Sequence, residues 1–274
     1  MTFFLRLSLL LILVGQGRLH ALSCENSDPG LQAMGGVGTA LPFGPVSLFH
    51  HTAWLSETER FQSTLSIMNP YDMPGLYSGN AAFSIPLKPF TLGGGMAFLI
   101  LDSIYNEIEW GIGSAVQYKQ VYFGANGRLN YMTFPKNHGY CLESAMDASV
   151  TVMPYHPLFL SIGFREFSIL TGGVGYLGQY LWAGMEADYQ AGFPLNVRFG
   201  QALNLFDVLA LRAGVSTEPL TFSFGVGFSF MGMGADMAAQ THTELGLSKS
   251  IGVRMGASTT SAQCLSNKEK FAGR

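Results

Sequence analysis

The sequence predicts an all-β protein: a closed antiparallel transmembrane β-barrel of about 14 strands, with 12 as the smaller alternative, and a glycine-rich N-terminal segment inside its lumen. Three observations predict it. Only 12% of the 274 residues are charged, while 13% are aromatic and 34 are glycine. A soluble domain carries about 25% charged residues, so much of this surface does not face water. No apolar run approaches the roughly 18 residues that a membrane helix needs; the longest sit near Leu7–Val14 and Met96–Leu101. Finally, apolar residues recur at every second position over most of the chain. That is how a strand gives one face to lipid and the other to a lumen.

The chain opens on a signal-peptide pattern over residues 1–23. Arg6 supplies the positive start, Leu7–Val14 the apolar core, and Leu19-His20-Ala21 or Ala21-Leu22-Ser23 the small-residue cleavage site. Cys24 follows directly, but Ala stands where a lipoprotein signal has Leu, so lipidation is not expected. Cys141 and Cys264 complete three cysteines whose spacing selects neither a metal site nor a disulfide pair.

Residues 24–56 form the expected hatch. Asp28–Ala40 reads DPGLQAMGGVGTA and carries Gly35, Gly36 and Gly38; the segment continues through Pro42, Gly44 and Pro45 to His50-His51. Small residues dominate and alternation is missing, which fits a segment packed inside a wider structure. Gly35-Gly36-Val37-Gly38 lacks the strand-to-helix setting of a phosphate loop. Read as part of a strand, His50 and His51 point to opposite sides and share no metal.

From residue 57 to 256 the barrel is expected. Leu220–Phe230 is its clearest strand: Leu220, Phe222, Phe224, Val226, Phe228 and Phe230 alternate with Thr221, Ser223, Gly225, Gly227 and Ser229. The same two-faced pattern recurs in segments centred near residues 63, 82, 97, 113, 127, 148, 162, 173, 185, 199, 212, 225, 235 and 249. The segment at Thr171–Leu177 is the weakest, because Gly172, Gly173 and Gly175 crowd it. Leu92–Leu101 is apolar on both faces. Lys249 shares parity with Leu247 and Ile251, so a bulge or a strand end is expected there. Tyr105, Tyr118, Tyr131, Tyr155 and Tyr189 are expected in interface girdles, and an even strand count puts both ends in the periplasm.

The charges fall on the small polar face. Arg128, Arg165, Arg198 and Arg212 are expected to point inward, because an arginine facing lipid at mid-depth costs about 2–4 kcal/mol. Glu107, Glu109, Asp147, Glu186 and Asp188 are expected to pair with them across the lumen. Glu186 and Asp188, two residues apart on one face, suit arginine pairing better than cation binding. A polar tail, 257–274, follows. No cofactor or metal site is expected, and a net charge of −3 argues against a nucleic-acid partner. His138, His156 and His242 have no evident nucleophile beside them, so no catalytic site is expected.

Two stretches together resemble the PorV/PorQ-like outer-membrane proteins, which are related to the FadL-type fatty-acid channels. Leu31–Leu55 resembles that family's N-terminal pattern of small residues, with His50-His51-Thr52-Ala53-Trp54-Leu55 where the family has an N-P-A-G-L motif. Leu211–Ser248 carries LRAGVS, FSFGVGFSF, GADMA and THTELGLS in the family's order. The resemblance implies a Gram-negative outer-membrane barrel with an internal hatch, embedded in outer-membrane lipid. It implies one of two tasks: support of protein transport together with type IX secretion-system proteins or, as the alternative, a channel for a hydrophobic small molecule. In the latter, a lateral opening is expected at Gly172-Gly173.

Overall fold

The computed structural model describes residues 27–102, 104–134, 139–166, 168–206 and 208–256. The signal peptide, Cys24, His138, Cys264 and the tail lie outside them. Fourteen strands follow in order: β1 (Gln62–Asn69), β2 (Leu76–Leu87), β3 (Phe90–Leu101), β4 (Tyr105–Tyr118), β5 (Val121–Thr133), β6 (Tyr140–Tyr155), β7 (Leu158–Arg165), β8 (Ile169–Leu177), β9 (Leu181–Gln190), β10 (Asn196–Leu205), β11 (Leu209–Thr217), β12 (Leu220–Phe230), β13 (Met233–His242) and β14 (Gly246–Met255). Each expected centre lies inside its strand. All neighbours are antiparallel, and β14 closes onto β1 from Ser63↔Met255 to Asn69↔Lys249. Closure gives every strand a hydrogen-bonded neighbour on each side, which is what lipid requires of a spanning sheet.

The alternation decides which face is outside. Phe224 is 61% exposed while its neighbour Ser223 is fully buried, the reverse of a soluble sandwich. Among the strand residues described, Lys249 is the one charged side chain with outward parity. No bulge accompanies it: the β13–β14 and β14–β1 registers run uninterrupted past it. It lies near the strand's upper end and pairs with Asp72 at 3.1 Å in the β1–β2 loop. The turns at the end where the barrel begins and finishes are two or three residues long, and those at the other end run from two to six. Short turns mark the periplasmic side of outer-membrane barrels. No described helix is long and apolar enough to cross a membrane.

The girdle tyrosines divide. Tyr118, Tyr155 and Tyr189 are exposed, but Tyr105 turns inward and donates to Glu107 Oε2 at 2.9 Å. Gly172-Gly173 also departs from expectation. Pairing is continuous through both residues on both sides of β8, so the wall has no lateral opening there. The one register shift in the ring lies between Val152 and Tyr155 of β6.

Residues 28–57 lie inside the ring. Asp28 caps α1 (Pro29–Ala33) by accepting the Leu31 amide at 3.0 Å, and Pro29 sits at the first helical position, where its missing N–H is harmless. Gly35 and Gly36 have φ of 69° and 82°, so the chain can reverse there without Cβ strain. After a 3-10 turn at Gly44–Val46 come α2 (Ser47–His50) and a 3-10 turn at Thr52–Glu57. The expected strand geometry of His50-His51 is thus replaced by a helix end. The apolar inner face of β3 is explained as well: Gly93, Ala97 and Leu99 receive Leu48 and Leu55 of the inner segment.

Candidate functional site

The site is the lumen and the segment that fills it. Its wall is shaped by glycines. A Cβ at Gly124 would land on the Ala53 amide, one at Gly214 on the Gly35 amide, one at Gly200 on the Met34 carbonyl and one at Gly175 on the Ala40 carbonyl. The inner segment therefore lies on the wall backbone to backbone. Alternating glycine on one strand face, which weakens a soluble strand, here makes room for a second chain.

Side chains then fix the segment in place. Trp54 wedges between Tyr122 and Phe159, with centroids 6.1 and 5.1 Å away, and its Nε1 donates to Thr39 O at 2.8 Å. The Thr39 amide donates to Glu186 Oε2 at 2.6 Å, and Arg198 Nη1 donates to Gly36 O at 3.2 Å. Asn126 Nδ2 donates to Leu48 O, and the Ala53 amide donates to Ser149 Oγ. His51 Nε2 lies 2.7 Å from Thr151 Oγ1, which lies 2.9 Å from Ser161 Oγ. Burial, with the charge of Arg165 added, pushes the His51 imidazole down to about 3.

The inward charges form three groups. Arg128 meets Glu109 at 3.3 Å, Asp147 at 2.9 Å and Glu166 at 3.2 Å. Asp188 is shared by Arg165 at 3.3 Å and Arg198 at 2.5 Å, and Arg198 also reaches Glu186 at 2.7 Å. Arg212 and Arg254 share Asp236 at 2.5 and 2.6 Å. Glu107 stands apart from these groups, held by Asn130 at 2.6 Å and by Tyr105. All nine expected lumenal residues thus point inward, but the pairing is not across the lumen. It runs sideways, between strands one or two places apart, because the inner segment occupies the axis and separates opposite walls. Gly35, Gly36 and Gly38 lie in the inner segment, the last against the His50 ring.

The first group also ends the β6–β7 pairing. Ala148↔Phe164 is the last pair, and residues 140–147 of β6 pair with β5 alone. Asp147 Oδ1 accepts the Glu166 amide at 2.8 Å, so its carboxylate replaces the next ladder bond.

The sequence reading missed Asp236, Arg254 and Glu166. Parity could have found the first two: Asp236 shares a face with Gly234 and Ala238, and Arg254 with Ser250 and Gly252. Glu166 lies in a turn, where parity says nothing. Gln32 was missed for the same reason, being helical.

Among the described residues, two cavities flank the inner segment. One of about 270 Å³ opens at the longer-loop end, between Met68, Tyr71, Leu76 and Leu99 on one side and Arg198, Gln240 and His242 on the other. Tyr71 leans over it, 5.7 Å from the His242 ring, with its amide donating to Ser248 Oγ. The second, about 70 Å³, lies at the opposite end between Asp28, Phe43, Trp182, Arg212 and Arg254.

No protein-family model and no curated protein matches the sequence. Solved structures match in three dimensions. The Pseudomonas putida toluene transporter TodX superposes with a TM-score of 0.66 at 11% identity, over 83% of this chain and 97% of that one. The fold is a closed 14-strand β-barrel that matches those of outer-membrane proteins. The CymD monoaromatic hydrocarbon channel matches with a TM-score of 0.65 at 11% identity, over 86% of this chain and 98% of that one. The Acinetobacter baumannii outer membrane protein Omp33 follows with 0.53 at 8%, over 72% and 97%. At these identities the likeness speaks for the fold, and function has to be argued from the site.

Proposed function

We propose that this chain is an outer-membrane channel for hydrophobic small molecules, with residues 24–56 as its hatch, 57–256 as its barrel and 1–23 removed on export. One observation carries the reading. A segment seated on glycines, and held by a few side-chain hydrogen bonds, blocks an otherwise closed barrel directly below a partly apolar cavity at the mouth. Such a segment can shift without opening the wall, because the strand ladder does not include it. The fold likeness to TodX and CymD supports the hydrocarbon alternative over the secretion role. The secretion role has the PorV/PorQ-like motifs alone behind it and ranks second. Catalysis is not part of the proposal. Arg198 is the expected latch, since it grips Glu186, Asp188 and the Gly36 carbonyl together.

The test is uptake of radiolabelled toluene by cells whose lipopolysaccharide-bearing outer membrane slows apolar solutes, because a plain phospholipid bilayer passes toluene unaided. Faster uptake by cells that carry the protein than by cells that lack it, raised further by Arg198→Ala, is the expected result. Uptake equal to that of cells lacking the protein, for both forms, rejects the channel.

A further inference from the structure

The lipid-facing side of the wall is not evenly filled. In one row across β4, β5 and β6 the outward residues are Ser114, Ala125 and Ala148, each opposite the next in register. These small side chains leave a dimple of about 370 Å³ on the outside of the barrel. Val116, Phe123 and Val150 form its lower wall, one pair down the same strands, and Phe90 of β3 and Phe164 of β7 flank it. Gly127 follows Ala125 on the same face, and a Cβ there would meet nothing within 4 Å, so the wall stays thin above the row.

The rim below the dimple differs from the rest of that end. The β2–β3, β4–β5 and β6–β7 turns carry Lys88, Lys119 and His156. The β8–β9, β10–β11 and β12–β13 turns carry exposed Tyr180, Phe206 and Met231, and no cation among the described residues. Lys119 lies on the lipid side: its Nζ stands 5.6 Å from the centroid of the Tyr118 ring, and Tyr118 is 67% exposed on the outer face. Neither lysine has an ion-pair partner among the described residues. Ser114 lies four residues above Tyr118, roughly 13 Å of strand. One leaflet's hydrocarbon is about 15 Å deep, so an acyl chain whose headgroup sits at the level of Lys119 reaches the dimple.

We propose that the dimple and the lysines form a site for one anionic phospholipid of the periplasmic leaflet, with an acyl chain in the dimple and the phosphate held by Lys119 and Lys88. A hollow left unfitted forfeits the dispersion contacts that a seated chain makes. Ammonium groups at the membrane surface, carried on stems that can run along the wall, attract negative headgroups. A second copy of this chain is the competing occupant, and charge disfavours it. A two-fold axis along the membrane normal beside the dimple would set each Lys119 toward its equivalent at the same depth, like charge against like. The site depends on the barrel and its orientation, not on what crosses the lumen.

Trp110 reads the site directly. It faces lipid on β4, four residues above Ser114, whereas Trp54 is buried inside the barrel and Trp182 borders the lower lumenal cavity. The experiment places the protein in phosphatidylcholine vesicles that hold a minor share of lipid with brominated acyl chains, and follows tryptophan quenching. Brominated phosphatidylglycerol is expected to quench at least twofold more than brominated phosphatidylcholine at the same share. Lys88→Gln with Lys119→Gln and, separately, Ala125→Leu, which fills the dimple, are each expected to remove the difference. Equal quenching of the unaltered protein by the two lipids overturns the site. A difference that survives the lysine substitutions overturns the headgroup contact, and one that survives Ala125→Leu overturns the seat. A second measurement needs no variant: native mass spectrometry from mild detergent with added phosphatidylglycerol is expected to show one lipid retained per chain. A bare chain rejects the proposal, and so does a lipid-free mass of two chains, which gives the dimple to a second copy.

Discussion

Along β8 to β12 the lumenal face carries Gly173, Gly175, Gly184, Gly200, Gly214 and Gly225, and the inner segment packs onto them. Along β14, β1 and β2 the same face carries hydroxyls and amides, and Gln32 reaches over to them. Both arcs obey the same alternation with a greasy outer face, so the difference concerns only what the inside is for. Glycine removes volume and lets a second backbone exclude water. Serine and threonine keep volume and leave groups that need water. The first arc meets the inner segment at glycines, and the second meets it through polar side chains, Asn80 with Ser27 and Ser250 with Gln32.

That comparison can be broken in several places. The largest effect is expected from Arg128→Leu, which removes the guanidinium that Glu109, Asp147 and Glu166 share; breaking a buried charge group in this way costs about 3–5 kcal/mol. The temperature at which the barrel loses its fast gel mobility should fall sharply, and an unchanged temperature would mean that the group contributes nothing. Acid should loosen the seat next. A seated His51 stays neutral down to about pH 3, whereas a released one takes up a proton below about 6.5. The seated state is therefore fully stable above about pH 6.5 and loses stability steadily as pH falls toward 3. Proteolytic cleavage within residues 27–57 should increase over that range and not between pH 7 and 8; identical cleavage at pH 7.5 and 4.5 counts against it. Gly214→Ala forces a methyl against the Gly35 amide and should cost about 1–3 kcal/mol, read as earlier release of the same segment. Ser66→Ala is expected to be the mildest. It removes a hydroxyl that has no described partner and should move the melting temperature hardly at all. Equal losses for Gly214→Ala and Ser66→Ala would erase the distinction between the two arcs.

Much of the barrel was legible in the residues. Leu220–Phe230 announces its two faces without help, since a strand's parity is a local property. Arg128, Arg198 and Arg212 could be placed inside because lipid excludes them. Tyr105, expected in the girdle, turns inward instead, because at a strand end an aromatic ring suits either the interface or a carboxylate such as Glu107. Gly172 and Gly173 were misread as a weak point in the wall. Gly173 gives its space to Ala40, and the backbone ladder runs unbroken through both residues.

By itself the sequence determined the strand positions, which side of each strand meets lipid, and that residues 24–56 lack the alternation of a strand. These follow from interactions between residues close in the chain and from the cost of placing charge or unpaired backbone in hydrocarbon. Only the tertiary structure decided which carboxylate each arginine holds, where Trp54 and Gln32 come to rest, and that one arc of the lumen meets the inner segment at glycines and another through hydroxyls and amides. Those depend on contacts between residues far apart in sequence, such as Gln32 with Ser250 and Gly35 with Gly214. Parity fixes the face on which a residue stands but carries no information about what stands opposite.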